Sequence, residues 1–152
     1  MLRRSLPMLS LAVPLAAAVP ASAQPSLDPN QAVSATRDLY AKLSARDTGV
    51  LRYVPAAGFS EITDGSERHR IDRRAVENLF ASPMAIDLRV DDLESESFGG
   101  VVVLVTGMRI GSITPPGKMP VEARHALSIL WTIDNGRWQM RHVHLSSKAA
   151  GR

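Results

Sequence analysis

Apolar positions keep a helical spacing up to about residue 80 and an every-second-residue spacing from Met84 onward, a change of period that separates helices from strands. Ala32, Ala35, Leu39, Tyr40 and Leu43 recur on one side of a helix, with Arg37, Asp38 and Lys42 facing out. Its start is marked by Asp28-Pro29-Asn30-Gln31. Asp28 is an N-cap that accepts from free amides, Pro29 loses nothing at the first helical position, and Gln31 is placed to answer as a capping box. The helix is expected to run to about Arg46. A shorter one follows Asp72 as N-cap, with Ile71 and Val76 placed to close as a hydrophobic staple. Val76, Leu79 and Phe80 point inward, and Ser82-Pro83 ends the helix, because proline drives the residue before it out of helical backbone.

Ile86, Leu88 and Val90 alternate with Asp87, Arg89 and Asp91, which predicts a strand with one buried face. Phe98-Gly99-Gly100-Val101 predicts a hairpin turn into the apolar run 101–105, a run that needs cover on both faces. Pro115 and Pro116 exclude residues 113–118 from a central strand, so the next strand is placed from about Met119 to Ile133. Asn135-Gly136 marks the last hairpin and pairs Ile133 with Trp138. Continued without interruption, that register puts His125, Leu127, Ile129, Trp131 and Ile133 on one face with Trp138, Met140, His142, His144 and Ser146. This face is aromatic at the turn end and histidine-rich at the other, the make-up of a pocket wall. The opposite face, with Ala126, Ser128, Leu130, Thr132, Gln139, Arg141, Val143 and Leu145, suits a subunit interface.

At the N-terminus, Arg3 and Arg4 precede the apolar stretch 6–19, broken only by Pro7, Ser10 and Pro14, and Ala21-Ser22-Ala23 supplies the small residues a signal peptidase accepts. Residues 1–23 are therefore expected to be a cleavable signal peptide, followed by an arm (24–28), one domain (29–147) and a tail (148–152). The expected destination is the periplasm or the outside of the cell. The apolar stretch is shorter than the roughly 20 residues of a spanning helix, so no membrane span is expected in the mature chain. The Arg3-Arg4 pair also raises twin-arginine export. The chain has no cysteine, which excludes a lipid-attached lipoprotein and a disulfide framework and leaves the core to hold the fold. Removing Arg3 and Arg4 from 18 basic residues leaves 16 against 15 acidic ones, a balance of +1. The run Arg68-His69-Arg70 with Arg73 and Arg74 is read as a solvated helix entrance, and no nucleic-acid partner is expected.

Gly58-Phe59-Ser60-Glu61, the short helix, and the closing segment Gly136-Arg137-Trp138-Gln139-Met140-Arg141-His142-Val143-His144-Leu145-Ser146 together resemble the SnoaL-like branch of the nuclear transport factor 2-like superfamily. The resemblance spans residues 29–147. It implies an α+β fold in which a cone-shaped, curved antiparallel sheet wraps around N-terminal helices, with a pocket at the open end and commonly a homodimer through the sheet. It implies no single chemistry, since the superfamily includes ketosteroid isomerase, polyketide cyclases, limonene epoxide hydrolase and the association domain of calmodulin-dependent kinase. The isomerase needs a carboxylate base beside a phenol or neutral acid that steadies the enolate. Tyr40, Tyr53 and Glu61 are of those types but match no isomerase motif, and the paired aspartates and arginine of the epoxide hydrolase are absent at any recognisable spacing.

His142 and His144, alternating on one strand, point the same way, and His125 is expected to approach His144 diagonally. Three imidazoles suit zinc or copper. The cones of this family mostly work without metal, so no metal and no cofactor are expected. Arg109 and Arg124 are read as surface arginines rather than as holders of an acidic ligand. The reading that results is an exported domain binding a small, partly hydrophobic molecule in its cone, lined by Tyr40, Tyr53, His125, Trp131, Met140, His142 and His144. The alternative is a cofactor-independent isomerase, cyclase or hydrolase with His142, His144 or Glu61 as acid or base. What separates the two is whether Glu61, His125, His142 and His144 face one cavity.

Overall fold

The computed structural model describes residues 27–147, so the predicted signal peptide, most of the arm and the tail lie outside the described residues. Helix α1 (Pro29–Ala45) starts where the capping residues placed it, with the Asp28 carboxylate accepting from the Asn30 amide at 2.9 Å. That bond goes to Asn30 and not to Gln31, whose amide donates to the Asp28 carbonyl instead. The buried stripe is Ala32, Ala35, Thr36, Leu39 and Tyr40, with Leu43 partly buried. Thr36, which the apolar pattern passes over, is buried at no cost in unpaired groups: its hydroxyl donates to the Ala32 carbonyl (2.9 Å) and accepts from the Trp131 indole (3.0 Å).

A 3-10 helix (Thr48–Tyr53) leads to strands β1 (Phe59–Thr63) and β2 (His69–Ile71), then to α2 (Arg73–Ala81). Asp72 caps α2 through the Ala75 amide at 2.8 Å. His69 and Arg70, expected at a helix entrance, lie instead in β2, an exposed edge strand, where charge discourages pairing with other chains. Strands β3 (Ala85–Phe98), β4 (Val102–Thr114), β5 (Ala123–Asp134) and β6 (Arg137–Ser147) complete one sheet in the order β2-β1-β6-β5-β4-β3. Strand β1 runs parallel to β6, so the sheet is mixed rather than wholly antiparallel, and β2 and β3 are its open edges. Met119 and Val121, expected in a strand, are 85% and 75% exposed ahead of β5, because Pro120 between them removes a ladder donor.

Helix α1 crosses the inner face of the sheet, where the Ser44 hydroxyl accepts from the Leu88 amide (2.8 Å) and donates to its carbonyl (2.7 Å). Gly111, at φ 122°, lets β3 pass close: a Cβ there would lie 1.9 Å from the Asp87 carbonyl oxygen. In the run 101–105 only Val103 and Val105 are fully buried, while Val101 is exposed and Val102 and Leu104 are half-buried, so cover is complete on one face only.

The register of the last hairpin departs from the regular one at a single residue. Ile133 pairs with Trp138 and Trp131 with Met140, as expected, but Leu130 pairs with His142 and Ile129 with Val143. Arg141 is the extra residue of a β-bulge. Because side chains alternate strictly, one inserted residue turns everything beyond it over. Val143 and Leu145 enter the core at 4% and 3% exposure, and His142 and His144 face the outer side. The physical reason lies in transfer energy: burying two aliphatic side chains contributes about 1.5–3 kcal/mol each, whereas imidazoles in an apolar cone would need partners.

Candidate functional site

Between α1, α2 and the inner face of the sheet lies a cavity of about 230 Å³, lined by Tyr40, Leu43, Phe59, Glu61, Ile71, Ala75, Val76, Leu79, Ile86, Leu88, Arg109, Ile113 and Leu145. A smaller space of about 60 Å³ adjoins it, shares Tyr40, Leu43, Phe59, Glu61 and Val76 with it, and ends on Met140 and Val143. Ten of the thirteen lining residues of the larger cavity are apolar; the exceptions are Tyr40, Glu61 and Arg109. Each comes from a different element. Tyr40 sits on the buried stripe of α1, Glu61 on β1 opposite Val143, and Arg109 on β4 opposite His125.

The three polar groups are not consumed by one another. Among the described residues neither Glu61 nor Arg109 enters an ion pair. The Arg109 Nε–H is buried without an acceptor. Its Nη2 donates to His125 Nδ1 at 3.0 Å. Burial pushes the Tyr40 phenol well above its ordinary range; Arg109 opposes that shift and Glu61 reinforces it. Tyr40 is therefore a neutral hydrogen-bonding group at any ordinary pH. A carboxylate, a neutral phenol and a guanidinium facing one apolar space can hold a polar oxygen, or take a proton from a neighbouring atom while the oxygen charge is steadied.

The structure distributes the residues proposed from sequence over five places. Tyr40, Glu61 and Met140 line the cone. His125 is on the inner side, 8% exposed, behind Arg109. Trp131 is fully buried in the core against Tyr53 and Trp138, with ring centroids 5.5 and 6.5 Å away. Tyr53 faces a different hollow, about 530 Å³, with Arg52, Arg137 and Trp138. That hollow is larger, but the Tyr53 hydroxyl is committed to Asp38 at 2.7 Å and Arg52 is paired to the same carboxylate at 2.8 Å.

His142 and His144 lie outside the cone. His144 is exposed, and His142 Nδ1 sits 2.7 Å from the Ser60 hydroxyl on the outer face. The expected approach of His125 to His144 does not occur, since Ser128 is the partner of His144. Arg109, read from sequence as a surface residue, is the cation of the cavity. Its signal was present: Val103, Val105, Gly107 and Arg109 share one face of an alternating strand, and the first two are core. Asp64, in the turn after β1, faces His125 at 3.8 Å and had no signal beyond the turn pair Asp64-Gly65.

No protein-family model and no curated protein sequence matches the chain. Solved structures do. A candidate dehydratase of the NTF2-like family from Streptomyces avermitilis superposes with a TM-score of 0.62 at 17% identity, covering 81% of this chain and 100% of that one. A candidate scytalone dehydratase from Novosphingobium aromaticivorans gives 0.64 at 6% identity, covering 78% and 83%. A candidate calcium/calmodulin-dependent protein kinase II association domain from Xanthomonas campestris gives 0.60 at 15%, covering 86% and 95%. The chain has the nuclear transport factor 2-like fold, as its resemblance to the SnoaL-like branch implied.

Proposed function

We propose that the chain is an exported protein that binds one small, partly hydrophobic molecule in the pocket of its cone, with an oxygen of that molecule at Arg109. The observation that carries the reading is that Glu61 and Arg109 line one apolar cavity with neither in an ion pair among the described residues, the Arg109 Nε–H being buried without an acceptor. Arginine and glutamate with only a structural purpose would be paired, because a buried donor left without an acceptor costs about 1–3 kcal/mol. Size narrows the ligand. An apolar cavity of about 150 Å³ takes up benzene, so the space here suits one ring with short substituents. Native mass spectrometry of protein from the exported fraction is expected to show cleavage before Gln24 and one organic molecule of that bulk per chain. Protein that arrives empty, and whose Tyr40 and Arg109 resonances ignore an added aromatic ketone such as acetophenone, would sink the reading.

The meeting of Glu61, Tyr40 and Arg109 in one space favours a second reading, a cofactor-independent isomerase, cyclase or hydrolase. In it Glu61, rather than His142 or His144, takes the proton, and Tyr40 and Arg109 steady the oxygen charge that develops. Glu61→Gln separates the two: exchange of the ketone's α-hydrogens with deuterated water should stop while ketone binding persists.

The reading includes a homodimer through the outer face of the sheet. Half-buried Leu104, Ser128, Leu130 and Thr132 support it, a surface of small and moderately apolar groups. Leu130→Lys should turn a dimeric mass into a monomeric one, and a wild-type monomer would remove the proposal.

A further inference from the structure

Building on the pocket reading, we infer that His125 is the positioning residue of the cone: its unprotonated Nδ1 holds the Arg109 guanidinium in place, the Asp64 carboxylate attracts the Nε2 proton from the other side, and the ligand's oxygen is held only while His125 is neutral. The argument begins with donors and acceptors. A guanidinium has five N–H donors and no acceptor. The 3.0 Å contact from Arg109 Nη2 therefore requires a lone pair on His125 Nδ1, which leaves the ring proton on Nε2. Nε2 faces the Asp64 carboxylate at 3.8 Å.

Both ends of this chain are held. Arg109 and His125 are direct partners on β4 and β5. Asp64 stands at φ 50° in the turn after β1, where its amide donates to the Leu145 carbonyl at 2.9 Å and its carboxylate accepts from the Ser147 amide and from the Ser147 hydroxyl at 2.8 Å. His125 is itself buried, at 8% exposure. The relay Asp64–His125–Arg109 ends at a guanidinium that lines the cavity, whose remaining N–H groups are where a ligand's oxygen belongs; its Nε–H is buried without an acceptor.

Protonation of His125 breaks the relay. The charged groups that bear on the ring are Arg109 from β4 and Asp64 from the β1–β2 turn, while β6 places uncharged Ser147 opposite it. Burial and then Arg109 disfavour the imidazolium and Asp64 favours it, with the balance below the ordinary histidine value. Once charged, the ring presents Nδ1–H to a guanidinium, donor against donor and cation against cation. The hydrogen bond is lost and Arg109 is released.

The test is an imidazole and guanidinium NMR titration of the ¹⁵N-labelled protein, without ligand, paired with acetophenone binding over the same pH range. The expected results are the Nε2–H tautomer at neutral pH, a midpoint below about 6.5, and an Arg109 Nε–H signal that moves with that midpoint. Acetophenone should bind about tenfold more weakly, or worse, below it, as loss of a hydrogen bond to a charged group entails. Asp64→Asn should lower the midpoint. His125→Gln keeps an acceptor for Arg109, so it should bind acetophenone with a flat profile, while His125→Leu should bind weakly at every pH. An Nδ1–H tautomer, an Arg109 signal indifferent to His125, or an unchanged profile in His125→Gln would each overturn the inference. If acetophenone binds to no variant and yet Arg109 follows His125, the positioning role stands and the pocket reading fails.

Discussion

Arg46 holds a strained backbone and a well-used side chain together. It caps α1 at φ 53°, a left-handed conformation that costs a non-glycine residue about 1–2 kcal/mol. Its guanidinium reaches the end of α2 and the segment after it, donating to the carbonyls of Leu79, Phe80, Ser82 and Met84. Hydrogen bonds to charged groups are worth about 1.5–3 kcal/mol net, so Arg46→Ala should destabilise the domain by at least that amount in urea unfolding. Arg46→Gly loses the same bonds and relieves the backbone, and should be the milder variant by about 1 kcal/mol. Equal losses would mean that the backbone strain contributes nothing. Thr36 offers a second residue-level test. Thr36→Val leaves the Trp131 indole N–H buried without an acceptor, a cost of about 1–3 kcal/mol, whereas Thr36→Ser keeps the bond and most of the stability.

Among the elements, β6 carries the most consequence per residue. Deleting Arg141 would close the bulge and leave His142 and His144 outside and Val143 and Leu145 in the core, since His142 would follow Met140 directly and keep Leu130 as its partner. Deleting Arg141 and His142 together would instead turn Val143 and Leu145 to the surface, and losing two aliphatic side chains from the core amounts to about 3–6 kcal/mol, against a total stability of about 5–15 kcal/mol for a domain. The single deletion should therefore keep the fold by circular dichroism and the double deletion should largely lose it; equal losses would show that the bulge is not what places these side chains. The bulge was legible in retrospect. Trp138 and Met140 alternate with polar residues, then Arg141 and His142 stand side by side before Val143 and Leu145 resume the alternation one step out of phase. Both helix starts, the Gly99-Gly100 and Asn135-Gly136 turns and the four long strands were readable because caps, turns and alternation are local chemistry, whereas β2 was hidden in a run that reads as a helix entrance. The β1–β6 pairing was not, since it joins residues some eighty positions apart with nothing in either strand to name the partner. The site followed the same division: Tyr40 and Glu61 were visible as residue types, while Arg109 and His125 became a pair only through strand neighbours.

Over the whole molecule, the fold is shared by chains of different kinds, so the pattern of charge and cavity carries the individuality. That pattern makes an acid profile with two steps. His125 is held below the ordinary histidine range by burial and then Arg109; His142 is held low by burial and then by His144 and Arg68. Between those lowered values and about 6.5, the unfolded chain binds more protons than the folded one, so stability rises with pH there and is lost on acidification. Asp64 and Asp47 are held below the ordinary carboxylate range by the backbone amides of Ser147 and Gly49 and the side chains beside them. At Asp38 burial works the other way but is outweighed by the Tyr53 hydroxyl, Lys42 and Arg52. Their stabilisation is complete above about 3.9 and disappears as pH falls through the folded values. Melting temperature against pH should therefore fall first below the histidine range and again in the carboxylate range. The double variant His125→Gln with His142→Gln should lose the upper step and keep the lower. Persistence of the upper step would assign it to another group and would separate the fold's response to acid from the release of Arg109 in the cone.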